Sequence, residues 1–198
     1  KMIHFEREVT DPIFIHEMLQ LFHHVNVGMI DDDGYPYVVP LNFGYELKDE
    51  KLYVYVHFMK RGHKLDLMRK IPKVCLEFSA FHDFPDCKYK GHYHDYRSVI
   101  AKGVIRIIDA NDDYTTFEKG YNLLYTCNQR EIVPLQSRKT IPPMYIGEIV
   151  CDMKNVTAKS EFPIRTKEDV PFLDVHSLPH DETPFDISDL LSKKKSHI

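Results

Sequence analysis

Long apolar runs are missing from this sequence. None approaches the ~18–20 residues a helix needs to cross a bilayer, so no membrane-spanning helix and no membrane partner is expected. No basic-then-apolar signal peptide is read at the start, although a processed N-terminus at Lys1 would look the same. An excess of one charge sign is missing too. Lys and Arg number 26 against 30 Asp and Glu, for a net charge of −4, whereas a dedicated nucleic-acid binder carries a basic excess or stripe. No nucleic-acid partner is therefore expected. Cysteines are few (Cys75, Cys87, Cys127 and Cys151) and form no CxxC pair, so they read as free thiols in a reducing, cytoplasmic compartment. There is no GxGxxG and no GxxxxGK[ST], which excludes the Rossmann and P-loop phosphate sites. GxSxG is absent, and no cysteine lies in a known catalytic signature. Without CxxCH, covalent haem attachment of that type is not expected. Tryptophan is absent, which excludes nothing.

What is present suits a folded domain. Hydrophobic residues make up 43 % of the 198 and charged residues 28 %, enough to bury a core without disulfide staples. Thr10 or Asp11 can cap a first helix, Pro12 suits its first turn, and Ile13, Ile15, Met18, Leu19 and Phe22 form its apolar stripe. Strands follow. Val25 to Ile30 runs into the acidic turn Asp31-Asp32-Asp33-Gly34, and Tyr35 to Phe43 resumes as a strand. Pro36 and Pro40 cannot donate to a ladder, so that strand belongs at an edge or carries a bulge. After a turn at Lys48 to Lys51 comes a β-rich run from Leu52 to Phe58. A helix is predicted from Gly62 to about Lys70, stopped by Pro72, and a strand from Val74 to Phe78. Residues 80–95 read as an aromatic, histidine-rich loop. Ser98 to Ile108 reads as a long strand with Gly103 as a bulge or bend. A helix then holds Phe117, Tyr121, Leu124 and Tyr125, and Met144 to Val156 gives the last strand. Residues 162–198 change character: four prolines and little periodicity before Phe185 to Leu191. The expected organisation is a domain over residues 1–161 and a C-terminal arm over 162–198 with one short helix. Six or so strands with singly inserted helices predict a mainly β (α+β) barrel rather than a parallel sheet.

Lys60-Arg61-Gly62-His63-Lys64 sits where a strand gives way to a helix. The unpaired N–H groups of a helix start carry partial positive charge, so cations there are mildly unfavourable. A bound anion, best a phosphate, would resolve the conflict by accepting those N–H groups and pairing with the cations. A solvated basic turn is the plainer alternative.

Three stretches carry a resemblance. They are Gly34-Tyr35-Pro36-Tyr37-Val38-Val39-Pro40-Leu41-Asn42-Phe43-Gly44-Tyr45, then Leu52-Tyr53 leading through His57 to Gly62-His63-Lys64-Leu65-Asp66-Leu67, then Tyr96-Arg97-Ser98-Val99-Ile100 with Gly103. In that order and spacing they resemble flavin-nucleotide-binding proteins related to pyridoxamine 5′-phosphate oxidase. Within that group the chain is most similar to the 5-nitroimidazole-resistance (Nim-type) branch. Arg7 to Asp11 and Thr157-Ala158-Lys159 fit the same pattern, so the resemblance covers about residues 4–161. It implies a six-stranded antiparallel Greek-key split β-barrel. It also implies a homodimer with two flavin mononucleotide (FMN) sites at the subunit interface. Lys64 matches the family's phosphate-binding lysine, with Lys60 and Arg61 as helpers, and His63 departs from the arginine common there. Pro40, Leu41, Asn42 and Phe43 match the strand bordering the isoalloxazine ring, and ordinary edge-strand packing would equally account for Pro40 and Phe43. His57, followed by Phe58, matches a histidine close to the flavin and the substrate pocket. It reads either as a proton donor or substrate contact, or as a partly buried histidine bonded to backbone. Arg97 and Ser98 match a segment that contacts flavin or phosphate, or only satisfies a strand start. The activity implied is oxidoreductase chemistry: electrons pass from a reduced nicotinamide or another donor to a small aromatic or nitro-bearing acceptor, or to oxygen. The rival reading is a flavin or haem carrier or sensor without turnover.

His82, Cys87, His92 and His94 share one stretch, but their spacing matches no usual zinc pattern, and no metal is assigned. Phe172, Leu173, Phe185 and Leu190 of the arm are expected to brace the dimer.

Overall fold

The computed structural model describes residues 3–83, 94–127, 135, 141 and 143–160; the expected arm and the centre of the histidine-rich loop lie outside the described residues. The first helix, α1, spans Pro12–Leu21. The Asp11 carboxylate accepts a hydrogen bond from the Ile13 N–H at 3.0 Å, capping the helix where the sequence places a cap. Its buried face carries Phe14, Ile15, Met18 and Leu19 into the main core.

Nine strands, rather than six, form one antiparallel sheet among the described residues: β1 (Glu8–Val9), β2 (Val25–Ile30), β3 (Pro36–Leu41), β4 (Phe43–Lys48), β5 (Lys51–Met59), β6 (Lys73–Asp83), β7 (His94–Ile108), β8 (Met144–Asp152) and β9 (Val156–Ser160). The main order is β3-β2-β6-β7-β8-β5-β4, with β9 pairing with both β1 and β7. β3 and β4 thus stand at opposite ends of this order, yet only Asn42 separates them in the chain. The two ends must meet, so the sheet is rolled into a split barrel. Pro36 and Pro40 lie on β3, the edge strand that prolines demand.

Four expectations change in detail. Residues 80–83 and 94–95, read as part of the loop, instead continue the β6–β7 ladder out to Asp83 opposite His94. The run from Tyr35 to Phe43 is broken at Asn42, because Phe43 turns away to pair with Val56. The strand from Met144 to Val156 is two strands parted by a 3-10 turn at Met153–Asn155. Gly103 is no bulge, since the β6–β7 register runs through it without an inserted residue. It lies where the other neighbour of β7 changes from β9 (Arg97 to Ala101) to β8 (Val104 to Ile108). A Cβ there would come within 2.5 Å of the Cys151 Sγ.

Alternation along β5 positions the site. Leu52, Val54, Val56 and Phe58 point into the main core. Tyr53 and Tyr55 face the other way, onto the cluster formed with Phe117, Tyr121 and Leu124 of α3 (Tyr114–Cys127). His57 and Met59 continue that outer face and emerge exposed.

His16 on α1 is buried to 2 % exposure, next to Tyr45, whose hydroxyl donates to the His16 carbonyl at 3.2 Å and lies 3.1 Å from the ring Nδ1. Burial pushes its pKa down from 6.5 to about 4. The unfolded chain takes up a proton below pH 6.5 that the folded chain resists until about pH 4. The stability His16 contributes is therefore complete above that window and is lost as pH falls through it, by a total of about 3 kcal/mol. Denaturant melts across this range should show the loss in the wild type and a flatter profile in His16→Gln; an equal slope in both would refute the assignment.

Candidate functional site

α2 spans His63–Lys70 and starts from Gly62, whose φ of 122° suits glycine and no other residue well. Among the described residues no side chain caps this helix start; the Leu65 N–H donates to the Gly62 carbonyl at 2.9 Å, and the N–H groups of His63 and Lys64 remain available. Half-buried Lys64 lies in the first turn and makes no ion pair among the described residues. It lines a cleft of about 460 Å³ together with Pro40, Leu41, Asn42, His57, Phe58, Met59, Pro143 and Met144. Six of the residues singled out in the sequence thus meet around one opening, which is cationic at the helix start and largely apolar on its walls.

The other expected contacts lie elsewhere. Lys60 pairs with Asp109, and its ammonium lies 4.9 Å from the centre of the Tyr145 ring. Arg61 is exposed next to Lys64 and likewise makes no ion pair among the described residues. His63 turns towards the β2–β3 turn, its Nε2 3.0 Å from both Asp31 oxygens and its ring edge-on to Tyr37 at 5.0 Å. The hydrogen bond to Asp31 raises the His63 pKa, and the same bond lowers that of Asp31. Phe43 is buried in the core, edge-on to Phe78 at 4.9 Å. Arg97 is buried on β7, its guanidinium carbon 5.9 Å from the centre of the Phe14 ring, and Ser98 follows it opposite Ser79. Neither lines the cleft of this chain.

Met59, Pro143 and Met144 were not singled out in the sequence. Met59 and Met144 are direct partners in the β5–β8 register, a juxtaposition of residues far apart in the chain that no local pattern reveals. Among the described residues, no group of three or more His, Cys, Asp or Glu side chains is arranged to hold a metal ion.

Comparison with known proteins decides the family. A family model described as pyridoxamine 5′-phosphate oxidase matches residues 14–141. The chain belongs to that family. Pyridoxamine 5′-phosphate oxidase family membership and the rolled sheet agree with the solved structures it resembles. A candidate 5-nitroimidazole antibiotic resistance protein of Bacteroides thetaiotaomicron superposes with a TM-score of 0.61 at 21 % identity, over 77 % of this chain and 86 % of that one. The FAD and heme binding protein of Mycobacterium smegmatis gives 0.58 at 16 % identity, over 84 % and 80 %. The flavocytochrome Anf3 of Azotobacter vinelandii gives 0.54 at 17 % identity, over 87 % and 78 %. At these identities the likeness is one of fold, the split barrel. No curated protein matches the chain. No described helix is long and apolar enough to cross a membrane.

Proposed function

We propose that this chain is an FMN-binding oxidoreductase that passes electrons from a reduced nicotinamide or similar donor to a small aromatic or nitro-bearing acceptor. One observation carries the reading: a half-buried lysine, with no ion pair and no side-chain helix cap beside it among the described residues, opens onto a largely apolar cleft that also holds a histidine. A flavin phosphate suits the helix start, where Lys64 and the free N–H groups supply charge and donors, with Arg61 within the same turn. The flat, largely apolar ring system suits walls of Pro40, Leu41, Phe58 and Met144, with Asn42 as a polar contact at the edge. When bound, the flavin supplies two-electron redox chemistry. His57 places an imidazole at the mouth of the cleft, where a ring nitrogen can pass a proton to or from a bound acceptor. Family membership supports the flavin; the Nim-type likeness supports the nitro acceptor.

The active form is proposed to be a homodimer in the cytoplasm. The outer face of β2, β6 and β7 supports this. It bears a groove of about 800 Å³ in which Ile30, Val38 and Val104 stand half-exposed between Lys73, Lys102, Glu77 and Asp152. A centre of apolar residues ringed by both charge signs suits a self-complementary contact. Free thiols at Cys75, Cys127 and Cys151 accord with a reducing compartment.

A second reading is a haem or flavin carrier without turnover. The imidazole of His57 and the thioethers of Met59 and Met144 at the same mouth are side chains of the kind that ligate haem iron. An absorbance spectrum of the purified chain separates the two, followed by the mass of the released cofactor. A two-banded flavin spectrum, bleached by NAD(P)H and restored by a nitroimidazole, is the expected result. A Soret band, or a flavin inert to donor and acceptor alike, would overturn the enzyme in favour of the carrier.

A further inference from the structure

The acidic turn Asp31-Asp32-Asp33-Gly34 does more than join two strands. It straps α2 at both ends: Asp31 holds His63 in the first turn, and Asp32 pairs with Lys70 in the last. His63 therefore occupies the helix start with its Nε2 shared between the two Asp31 oxygens and its ring placed against Tyr37. Lys64, the next residue, lines the cleft. A cation at His63 would add to the field that Lys64 and Arg61 present to an anion. A neutral imidazole would leave the charge of Asp31 uncompensated at the same place.

We propose that Asp31 is a positioning residue for phosphate recognition: by fixing the imidazole of His63 at the first turn of α2, it makes affinity for a phosphate ester depend on pH. The inference rests on the reading that a flavin phosphate binds at this helix start. The groups facing His63 are Asp31 and Asp32 from the β2–β3 turn, Tyr37 from β3, and Asp66 from its own helix, with Lys70 neutralising Asp32. Asp31 dominates by direct contact, and all three carboxylates favour the protonated ring, so its proton leaves at a higher pH than that of an unperturbed histidine. The sign follows: the grip on phosphate weakens as pH rises through that point. The second ionisation of the phosphate itself, at about pH 6, acts in the opposite direction and cannot mimic the loss.

The test is the dissociation constant of FMN, read by quenching of flavin fluorescence on the full chain freed of bound flavin, from about pH 6 to about pH 9 at constant ionic strength. Riboflavin, which lacks the phosphate, is the parallel probe. FMN binding should weaken about fivefold across the range, the size of one partly screened charge interaction, while riboflavin binding stays flat. Asp31→Asn should move the inflection to lower pH, Asp31→Glu should restore it, and His63→Arg should abolish it. An inflection that persists unmoved in Asp31→Asn and His63→Arg would overturn the proposal and assign the proton to another group such as His57. FMN binding flat with pH, yet weakened by Lys64→Ala, would overturn this proposal and leave the phosphate site standing. Equal affinity for FMN and riboflavin, both unmoved by Lys64→Ala, would sink the phosphate site and this inference with it.

Discussion

Replacing Gly44 by alanine should cost the fold more than any surface change in the cleft. Gly44 lies on β4 beneath α3, and a Cβ there would meet the carbonyl carbon of Leu123 at 2.4 Å, its oxygen at 2.6 Å and the Leu124 nitrogen at 2.7 Å. All three atoms belong to helix backbone. No rotamer change can relieve the clash, so β4 and α3 must separate, opening the cluster of Tyr55, Phe117, Tyr121 and Leu124. Overpacking that a side chain can absorb costs ~1–3 kcal/mol, and one that displaces a packed helix should exceed it, at about 4 kcal/mol. For a chain of this size that is a fall in Tm of roughly 10 °C. Gly34 is the control. Its φ of 86° also disfavours a side chain, but nothing lies within 4 Å of the added carbon, so Gly34→Ala should cost only about 1 kcal/mol. Thermal melts of the two variants would check this, and equal losses would show that the β4–α3 contact yields.

The contrast between these glycines shows what a sequence can reveal. Gly34 follows three aspartates in a turn, a pattern whose meaning is local. Gly44 sits in a run of strand formers, and the reason for it is a helix some eighty residues further on. The same division holds across the molecule. The Asp11 cap, the edge placement of Pro36 and Pro40, and the start of α2 at Gly62 follow from residues next to one another. The break at Asn42 does not, because Leu41, Asn42 and Phe43 read as continuous strand until the pairing of Phe43 with Val56 is known. Met153-Lys154-Asn155 likewise contains no Gly or Pro to announce the turn that splits β8 from β9. At the cleft, Pro40, Leu41, Asn42, His57, Phe58 and Lys64 were legible because short motifs carry them. Met59 and Met144 became partners only through the β5–β8 register. The ion pairs are the least legible part. Nothing local assigns Lys60 to Asp109 or His63 to Asp31, yet these pairs decide which cations of the basic run remain free.

Because those pairs occupy Lys60 and His63, Lys64 is the cation on which phosphate binding should depend most. Lys64→Ala is expected to weaken FMN binding about 10- to 100-fold, the loss of one charge-assisted hydrogen bond of roughly 1.5–3 kcal/mol. The fold should not suffer. Lys64 makes no ion pair among the described residues, and alanine is at least as good a helix former, so the Tm should stay within about 2 °C of the wild type. Riboflavin affinity should change little, because the ring would rest on Pro40, Leu41 and Phe58 rather than on the ammonium. Lys64→Arg should keep part of the affinity, since charge survives while the reach and shape of the donor change. The rate of flavin reduction per bound FMN should hold in all three proteins if, as proposed, the lysine meets the phosphate rather than the ring. Titration calorimetry with FMN and riboflavin in parallel would decide the matter. If Lys64→Ala leaves the ratio of the two affinities at its wild-type value, the phosphate lies elsewhere, and the uncapped start of α2 is a solvated basic turn.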